Sequence, residues 1–335
     1  MENIKNLDIS VVSTLSDLIN VYIVRARVNV DEAGIPAARE FDGLDLRSPH
    51  ILAKIDGEPV AALRISGSGS SADLEHMAVV DTWRNKGLGK LLTDKAREYC
   101  RSQKLYKVNN YCQENPEEYR KMYGLPPKTN QNIKLNSQNI RDLRFCVVST
   151  PEEMLDMYIV RSRVFVQNNR IPAKEEFDGN DFASTHIVAK MKDEPIGTIR
   201  IRYYGDFIKL ERLGIVKEYR KSGVSELLTN KAIEFCGEKG FDKIYGLCED
   251  GLYDYWTQRG YSAIEGAPRV KFNDLELIPI IRKIPESPTS VKITDNPKRL
   301  VMRESLLVSD RLDDKSIQAF NERIFMVRKN SDFRQ

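Results

Sequence analysis

Histidine is scarce in this chain, with only His50, His76 and His186 among 335 residues. That leaves little for a histidine-rich metal centre, and no metal site is expected. Tryptophan is scarcer still, with Trp83 and Trp256 alone. The five cysteines are odd in number and show neither CxxC nor zinc-type spacing. They read as free thiols of a reducing compartment rather than a disulfide framework. No apolar run approaches the roughly 20 residues that span a bilayer, and the polar opening MENIKNLD does not read as a signal peptide. A cytoplasmic protein with no membrane partner is therefore expected. Nor does one sign of charge dominate: 52 Lys and Arg face 49 Asp and Glu, net +3. Nothing in that balance asks for nucleic acid as a partner.

What is present is concentrated in Leu74 to Tyr99, LEHMAVVDTWRNKGLGKLLTDKAREY. An apolar run ends in a turn carrying Arg84, Asn85, Lys86, Gly87, Leu88, Gly89 and Lys90. A helical pattern with Leu91, Leu92 and Ala96 on one face follows. A strand, a glycine-bearing loop and a helix start in succession expose several backbone N–H groups at the positive end of a helix dipole. Glycine there lets the backbone approach a bulky anion, and a pyrophosphate would fit.

The stretch recurs 136 residues later as Leu210 to Phe235, with Arg220 matching Arg84, Gly223 matching Gly87 and Glu211 matching Glu75. Between Val11 and Ile65 the same offset gives 28 identities in 55 positions without a gap, so the chain carries a duplicated domain. Each copy reads as strand, helix, strand pair, strand, loop, helix, strand and short helix. In the first copy these are a strand at Leu7–Thr14, a helix from Ser16 to about Val30 and a loop over Gly34–Ser48. Strands His50–Ile55 and Val60–Ile65 follow around Asp56-Gly57-Glu58-Pro59, then a flexible GSGSS connection at Gly67–Ser71, a fifth strand at Leu105–Cys112 and a short helix at Pro116–Tyr123. One strand is expected near Ile133–Leu135. The second copy closes with a strand pair at Arg269–Phe272 and Leu275–Ile284, which the first lacks or shares. The expected boundaries are 1–143, 144–284 and a C-terminal extension 285–335 docked on the second domain, with a helix at Asp314–Val327.

Strand, R-x-x-G-x-G and helix within this element order, met twice, resemble the GNAT superfamily of acyl-CoA-dependent N-acetyltransferases. The likeness runs from Leu7 to about Ile284. It implies an α/β (α+β) fold: two tandem domains, each a mixed, mostly antiparallel sheet flanked by helices. Arg161-Ser-Arg-Val-Phe165-Val, Glu176-Phe177-Asp178, Asp181, His186 and Arg200 further resemble a small bacterial GNAT subgroup. Arg161, Phe165, Asp178, Asp181 and Arg200 are also similar to acyl-homoserine-lactone synthases, which generally lack the glycine loop and carry a tryptophan this chain does not have.

The resemblance implies acetyl-CoA or another acyl-CoA as co-substrate. The backbones of Met77, Ala78 and Val79, and of Leu213, Gly214 and Ile215, would bond its pantetheine arm. Its pyrophosphate would lie on Arg84 to Lys90 and on Arg220, Lys221, Ser222, Gly223, Val224 and Ser225. Ser225 and Glu226 replace Gly89 and Lys90, which makes the second loop the weaker anion site. Aminolysis of a thioester needs a neutral amine and so a base. Glu75 and Glu211, on the strand before the loop, are the candidates, with a raised pKa expected if they are half-buried beside apolar neighbours. They could equally pair with Arg64 and Arg200 on the adjacent strand. Arg25, Asp45 and Arg64, with Arg161, Asp181 and Arg200, are candidate acceptor contacts. His50 and His186 are expected to fix the acidic loop through a hydrogen bond, and His76 to face away from Glu75. The family's tyrosine acid is missing, since Arg120 and Trp256 stand at its place and Tyr119 and Tyr255 one residue earlier. The expected function is transfer of acetyl or another acyl group to the amine of a small molecule. A silent CoA-binding scaffold and an acyl-amino-acid or acyl-homoserine-lactone-like signal synthase are the alternatives; oligomeric state stays open.

Overall fold

The computed structural model describes residues 4–112, 118, 120–121, 124, 132–272, 275–285 and 287–322. Among these residues two sheets form, one per repeat. In the first, β1 (Leu7–Val11), β2 (His50–Ile55), β3 (Glu58–Ser68), β4 (Ser71–Val79) and β5 (Lys107–Asn110) lie in that spatial order. The first four pair antiparallel, and β5 joins β4 in parallel. The second sheet repeats this with β6 (Leu143–Val147), β7 (Thr185–Met191), β8 (Glu194–Tyr204), β9 (Phe207–Ile215) and β10 (Lys243–Glu249). It continues through β13 (Leu275–Lys283) to β11 (Ser262–Ala263), and β12 (Val270–Phe272) also pairs with β13. The expected closing strand pair is thus present in the second repeat, and the first sheet has five strands among the described residues.

Helix spacing explains how each sheet is covered. In the helix Leu88–Ser102 the residues facing inward, Leu88, Leu92, Ala96 and Cys100, recur every four positions and are fully buried. The second helix, Val224–Glu238, buries Val224, Leu228, Ala232 and Cys236 at the same offsets. Thr14 caps the helix Leu15–Arg25 by accepting from the Asp17 N–H at 3.1 Å. That helix buries Val21, Tyr22 and Val24 and packs on β3.

Four expected elements differ. The helix expected from Ser16 to Val30 is α-helical only to Arg25 and continues as a π-helix over Ala26–Glu32, repeated at Ser162–Asn168. Gly34–Ser48 contains a short helix, Ala37–Glu40, and a 3-10 turn, Asp45–Arg47. Gly67–Ser71 is a tight hairpin rather than a flexible connection, because β3 runs to Ser68 and pairs it with Ser71. Residues 133–135 are not a strand. Most of the helix expected at 116–123, and the end of the one expected at 314–327, lie outside the described residues; 314–322 is helical.

By contact density the chain divides into two compact units that do not follow the repeat boundary. One comprises Met1–Gln131 with Tyr158–Glu176 and Asp193–Pro195; the other comprises Asn132–Met157, Phe177–Lys192 and Ile196–Gln335. No helix among the described residues is long and apolar enough to cross a membrane.

Candidate functional site

The site begins with an irregularity that alternation of side chains does not forecast. The β3–β4 register shifts between Ala62 and Arg64, and opposite the shift His76 takes a left-handed backbone, φ 50°. The β8–β9 register shifts in the same way between Thr198 and Arg200, with Arg212 at φ 54°. Such a bulge rotates one residue out of the two-residue period. His76 therefore does not face away from Glu75 as alternation predicts, because both side chains reach Arg64: Glu75 Oε2 at 2.6 Å and His76 Nε2 at 2.8 Å. Beyond the bulge β4 leaves its parallel neighbour. The β4–β5 register covers Ser71–Leu74 against Lys107–Asn110, and the last bond runs from the Tyr111 N–H to the Leu74 carbonyl. In the second repeat β9 and β10 register only at Ile208 and Lys209 against Ile244 and Tyr245. Each repeat thus opens a wedge between two parallel strands, with Met77–Val79 or Leu213–Ile215 along one side. The wedge of the second repeat is a small cavity of about 90 Å³ lined partly by Leu213, Trp256 and Tyr261.

Each wedge leads to its loop. Gly87 and Gly223 take φ 87° and φ 95° and open the helices Leu88–Ser102 and Val224–Glu238. Only glycine adopts that backbone without strain, and it stands at a helix N-terminus, where the first N–H groups have no intrahelical partner. Asn85 and Lys221 share a left-handed backbone at φ 60°. Arg84 braces the loop: its Nε donates to the Val79 carbonyl at 3.0 Å, and its two terminal nitrogens reach the Glu32 carboxylate at 2.5 Å each. Arg220 donates to the Ile215 carbonyl at 3.3 Å. Asn85, Lys86 and Lys90 are exposed, and the Lys86 ammonium lies 4.5 Å from the Trp83 ring centre. No acidic residue stands in the first turn of the first loop helix, whereas Glu226 stands in that of the second.

The two loops differ most in what lies over the glycine. A Cβ built on Gly87 would meet no described atom within 4 Å. One built on Gly223 would lie 2.6 Å from Cε2 of Phe320, in the helical segment 314–322.

Below the first wedge lies a buried ionic network. Arg25, fully buried, donates to Glu40 Oε1 at 2.7 Å and to Asp45 Oδ1 at 2.5 Å. Arg64, 1% exposed, bonds Asp42 at 2.6 and 2.9 Å as well as Glu75 and His76. Since Arg64 can only donate, His76 Nε2 accepts, and Nδ1–H donates to Glu40 Oε2 at 3.0 Å. Asn29, placed by the π-helix, adds a bond to Glu40 at 2.9 Å. Burial pushes the carboxyls of Glu40 and Asp42 up, but the Arg25 guanidinium and His76 beside the first, and Arg64 beside the second, hold both below the ordinary range. At the rim, Asp42 and Glu75 keep side-chain exposures of 35% and 27%.

In the second repeat Arg200 pairs with Asp178 at 2.7 Å, Asp181 at 2.9 Å and Glu211 at 2.7 Å, and Arg161 bonds Glu176 at 2.6 Å. Glu211 also meets Lys209 at 2.8 Å and Arg202 at 3.7 Å. Burial acts to raise its carboxyl, yet the Lys209 ammonium and Arg200 outweigh it and hold it below the ordinary range. The raised pKa expected for Glu211 is therefore corrected by three cations within reach. His50 and His186 bond the Asp45 and Asp181 carbonyls at 2.9 and 3.1 Å, as expected. Arg120 is buried and donates to the Ala33 and Gly34 carbonyls; Tyr119 lies outside the described residues. Burial pushes the Cys112 thiol up to about 12, far from a nucleophilic thiolate.

Glu40, Asp42 and His76 belong to this network although sequence reasoning did not single them out as site residues. For Glu40 and Asp42 a signal existed, since both recur at the repeat offset as Glu176 and Asp178. For His76 there was none, because Arg212 takes its place.

A model of the acetyltransferase (GNAT) family matches residues 18–124 and again 153–261, together well over half of the chain. The uncharacterized N-acetyltransferase YjcF of Bacillus subtilis strain 168 is 33% identical over 98 residues, covering 29% of this chain and 69% of that protein. Among solved structures, an acyl-CoA N-acyltransferase from Pseudomonas aeruginosa aligns at 19% identity and TM-score 0.38, over 42% of this chain and 98% of its own. A GNAT family acetyltransferase from Elizabethkingia anophelis, solved with acetyl-CoA bound, aligns at 12% identity and TM-score 0.32, over 43% of this chain and 99% of its own.

Proposed function

From the premise that the chain belongs to the acetyltransferase (GNAT) family, we propose that it is an N-acyltransferase that uses acyl-CoA, acetyl-CoA first, to acylate the primary amine of a small molecule, and that the first repeat is the active one. The observation that carries this assignment is the open glycine loop at the mouth of the first wedge, with no described atom over Gly87 and no acid in the first helical turn.

The reaction joins the amine nitrogen to the thioester carbonyl carbon, releases the thiol and takes one proton from the nitrogen. The N–H groups from Gly87 to Lys90 and the charges of Lys86 and Lys90 hold the phosphates, at the positive end of a 15-residue helix. Arg84 keeps the loop in shape through Val79 and Glu32. The backbone edge of Met77–Val79 guides the pantetheine arm into the wedge. Glu75, at the wedge and partly exposed, takes the amine proton. Arg64 fixes the carboxylate's direction through two donor atoms, at 3.2 and 2.6 Å. Arg25, Asp45 and Arg64 are too deeply buried to meet an acceptor and act as the floor that positions Asp42 and Glu75. Most of the acceleration then comes from holding amine and thioester together. In the second repeat the equivalent carboxylate, Glu211, is spent on three cations, Asp181 is held by Arg200, and Arg161 is held by Glu176.

The test is thiol release from acetyl-CoA across a panel of primary amines, with the wild type beside Glu75→Gln and Glu211→Gln. Release that depends on the amine and falls with Glu75→Gln alone supports the assignment. Equal losses in both variants, or none in either, would remove it.

A further inference from the structure

The covered loop of the second repeat has an occupant, and it comes from the same chain. The helical segment 314–322 is capped by Asp313, whose Oδ1 accepts from the Ser316 N–H at 2.7 Å, and it buries Ile317. Just before it, the Asp310 carbonyl accepts from the Phe145 N–H of β6 at 2.7 Å, so the segment is anchored on the second sheet. Near its end, Asn321 accepts from Ser137 Oγ at 3.3 Å. Between these anchors Phe320 is laid on Gly223, with a ring carbon 2.6 Å from where a Cβ would stand. The lack of a side chain that would let a phosphate oxygen approach the loop lets an aromatic edge approach instead. A cavity of about 490 Å³ remains beside the contact, edged by Lys134, Lys221, Ser222, Glu226, Lys231 and Phe320.

We propose that residues 309–322 are an intramolecular cover of the second loop, so that the intact chain takes one CoA, at the first loop, and a second only when Phe320 is lifted from Gly223. The proposal rests on the reading of the first loop as a CoA site. Glu226 in the first turn of the second loop helix makes the uncovered site the weaker of the two, because its charge opposes the helix end that draws an anion.

The experiment is isothermal titration of the full chain with CoA, paired with hydrogen exchange of the amides from Gly223 to Leu227. It compares the wild type, Phe320→Ala, a chain ending at Leu312 and a Lys86→Glu, Lys90→Glu double variant. The cover predicts one CoA per wild-type chain. It predicts two in Phe320→Ala and in the shortened chain, the second at least tenfold weaker, and tenfold or faster exchange of those amides. Two sites in the wild type, or a single site in both uncovered chains despite faster exchange, would overturn it. So would exchange unchanged by Phe320→Ala and by shortening. Should no chain bind CoA, the functional reading fails on the titration, and the cover fails too if exchange is also unchanged. A Lys86→Glu, Lys90→Glu chain that still binds one CoA would place the primary site at the second loop and overturn both.

Discussion

Glu75 and Glu211 hold matching places on matching strands, but Glu75 meets one arginine and a histidine while Glu211 meets Arg200, Lys209 and Arg202. A carboxylate surrounded by cations gives up its lone pair reluctantly, so it binds protons weakly and makes a poor base. Removing the proton acceptor of a positioned general base costs on the order of 10²- to 10⁴-fold. Glu75→Gln should therefore lower kcat by about 10²-fold with little change in the KM for acetyl-CoA, and Glu211→Gln should leave kcat within about twofold. Steady-state thiol release decides between them. His50 supports a second expectation at this scale. Burial lowers its pKa from 6.5 to about 4, with Arg25 and Arg64 opposing its charge and Asp45 favouring it. The folded chain thus resists a proton that the unfolded chain accepts. Stability is full above about pH 6.5 and is lost as pH falls from there toward 4, by up to about 3 kcal/mol. His50→Asn, which retains a donor for the Asp45 carbonyl, should flatten that fall. Urea midpoints between pH 7 and 4.5 measure it; parallel curves for the two proteins would refute the assignment. The carboxyls of Glu40 and Asp42, held below their ordinary range, add their own loss only at lower pH.

At the scale of elements, the loop and its helix are where local sequence and long-range structure agree. Leu88, Leu92, Ala96 and Cys100 recur at helical spacing, and Gly87 sits where the chain must turn left-handed. Gly87→Ala should cost about 1 kcal/mol from that backbone alone, since no described atom lies within 4 Å of the added Cβ. It should also weaken CoA binding several-fold by shifting the N–H groups. A melting curve and a CoA titration on one sample separate the two effects, and unaltered affinity would show that the loop does not hold the phosphates. The repeat, the strand order around the loop and the ion pairs of Glu75 and Glu211 with arginine were all legible in the residues. The bulges at His76 and Arg212 were not, because a bulge is set by how two strands register and not by either strand's composition. The π-helices after Arg25 and Arg161 also escaped: one extra residue in a turn leaves a helical pattern nearly intact while redirecting Asn29 toward Glu40. Phe320 on Gly223 is a contact 97 positions apart in the chain, and no local pattern encodes it.

At the scale of the molecule, duplication in the sequence and division in space do not coincide. The first compact unit takes in Tyr158–Glu176 and Asp193–Pro195, which belong by descent to the second repeat. Within that unit Glu194 accepts from the N–H groups of Ala37 at 2.9 Å and Ala38 at 3.2 Å, the opening of the helix Ala37–Glu40 that carries Glu40 to Arg25. Arg163, 6% exposed, donates to Asp31 at 2.6 Å, at the end of the first π-helix. A chain cut at residue 143 keeps every strand of the first sheet yet loses these partners. A lost helix-opening acceptor costs about 1 kcal/mol, and the half-buried Asp31 carboxylate, 27% exposed, loses its ion pair with Arg163 as well. Fragment 1–143 should therefore unfold at a lower urea midpoint than the first unit of the intact chain and show fast hydrogen exchange at Ala37 and Ala38. Glu194→Ala in the intact chain should reproduce the exchange change without the full loss of stability. If the fragment and the intact chain protect those two amides equally, the first repeat is complete in itself, and the residues borrowed from the second contribute nothing to the site above them.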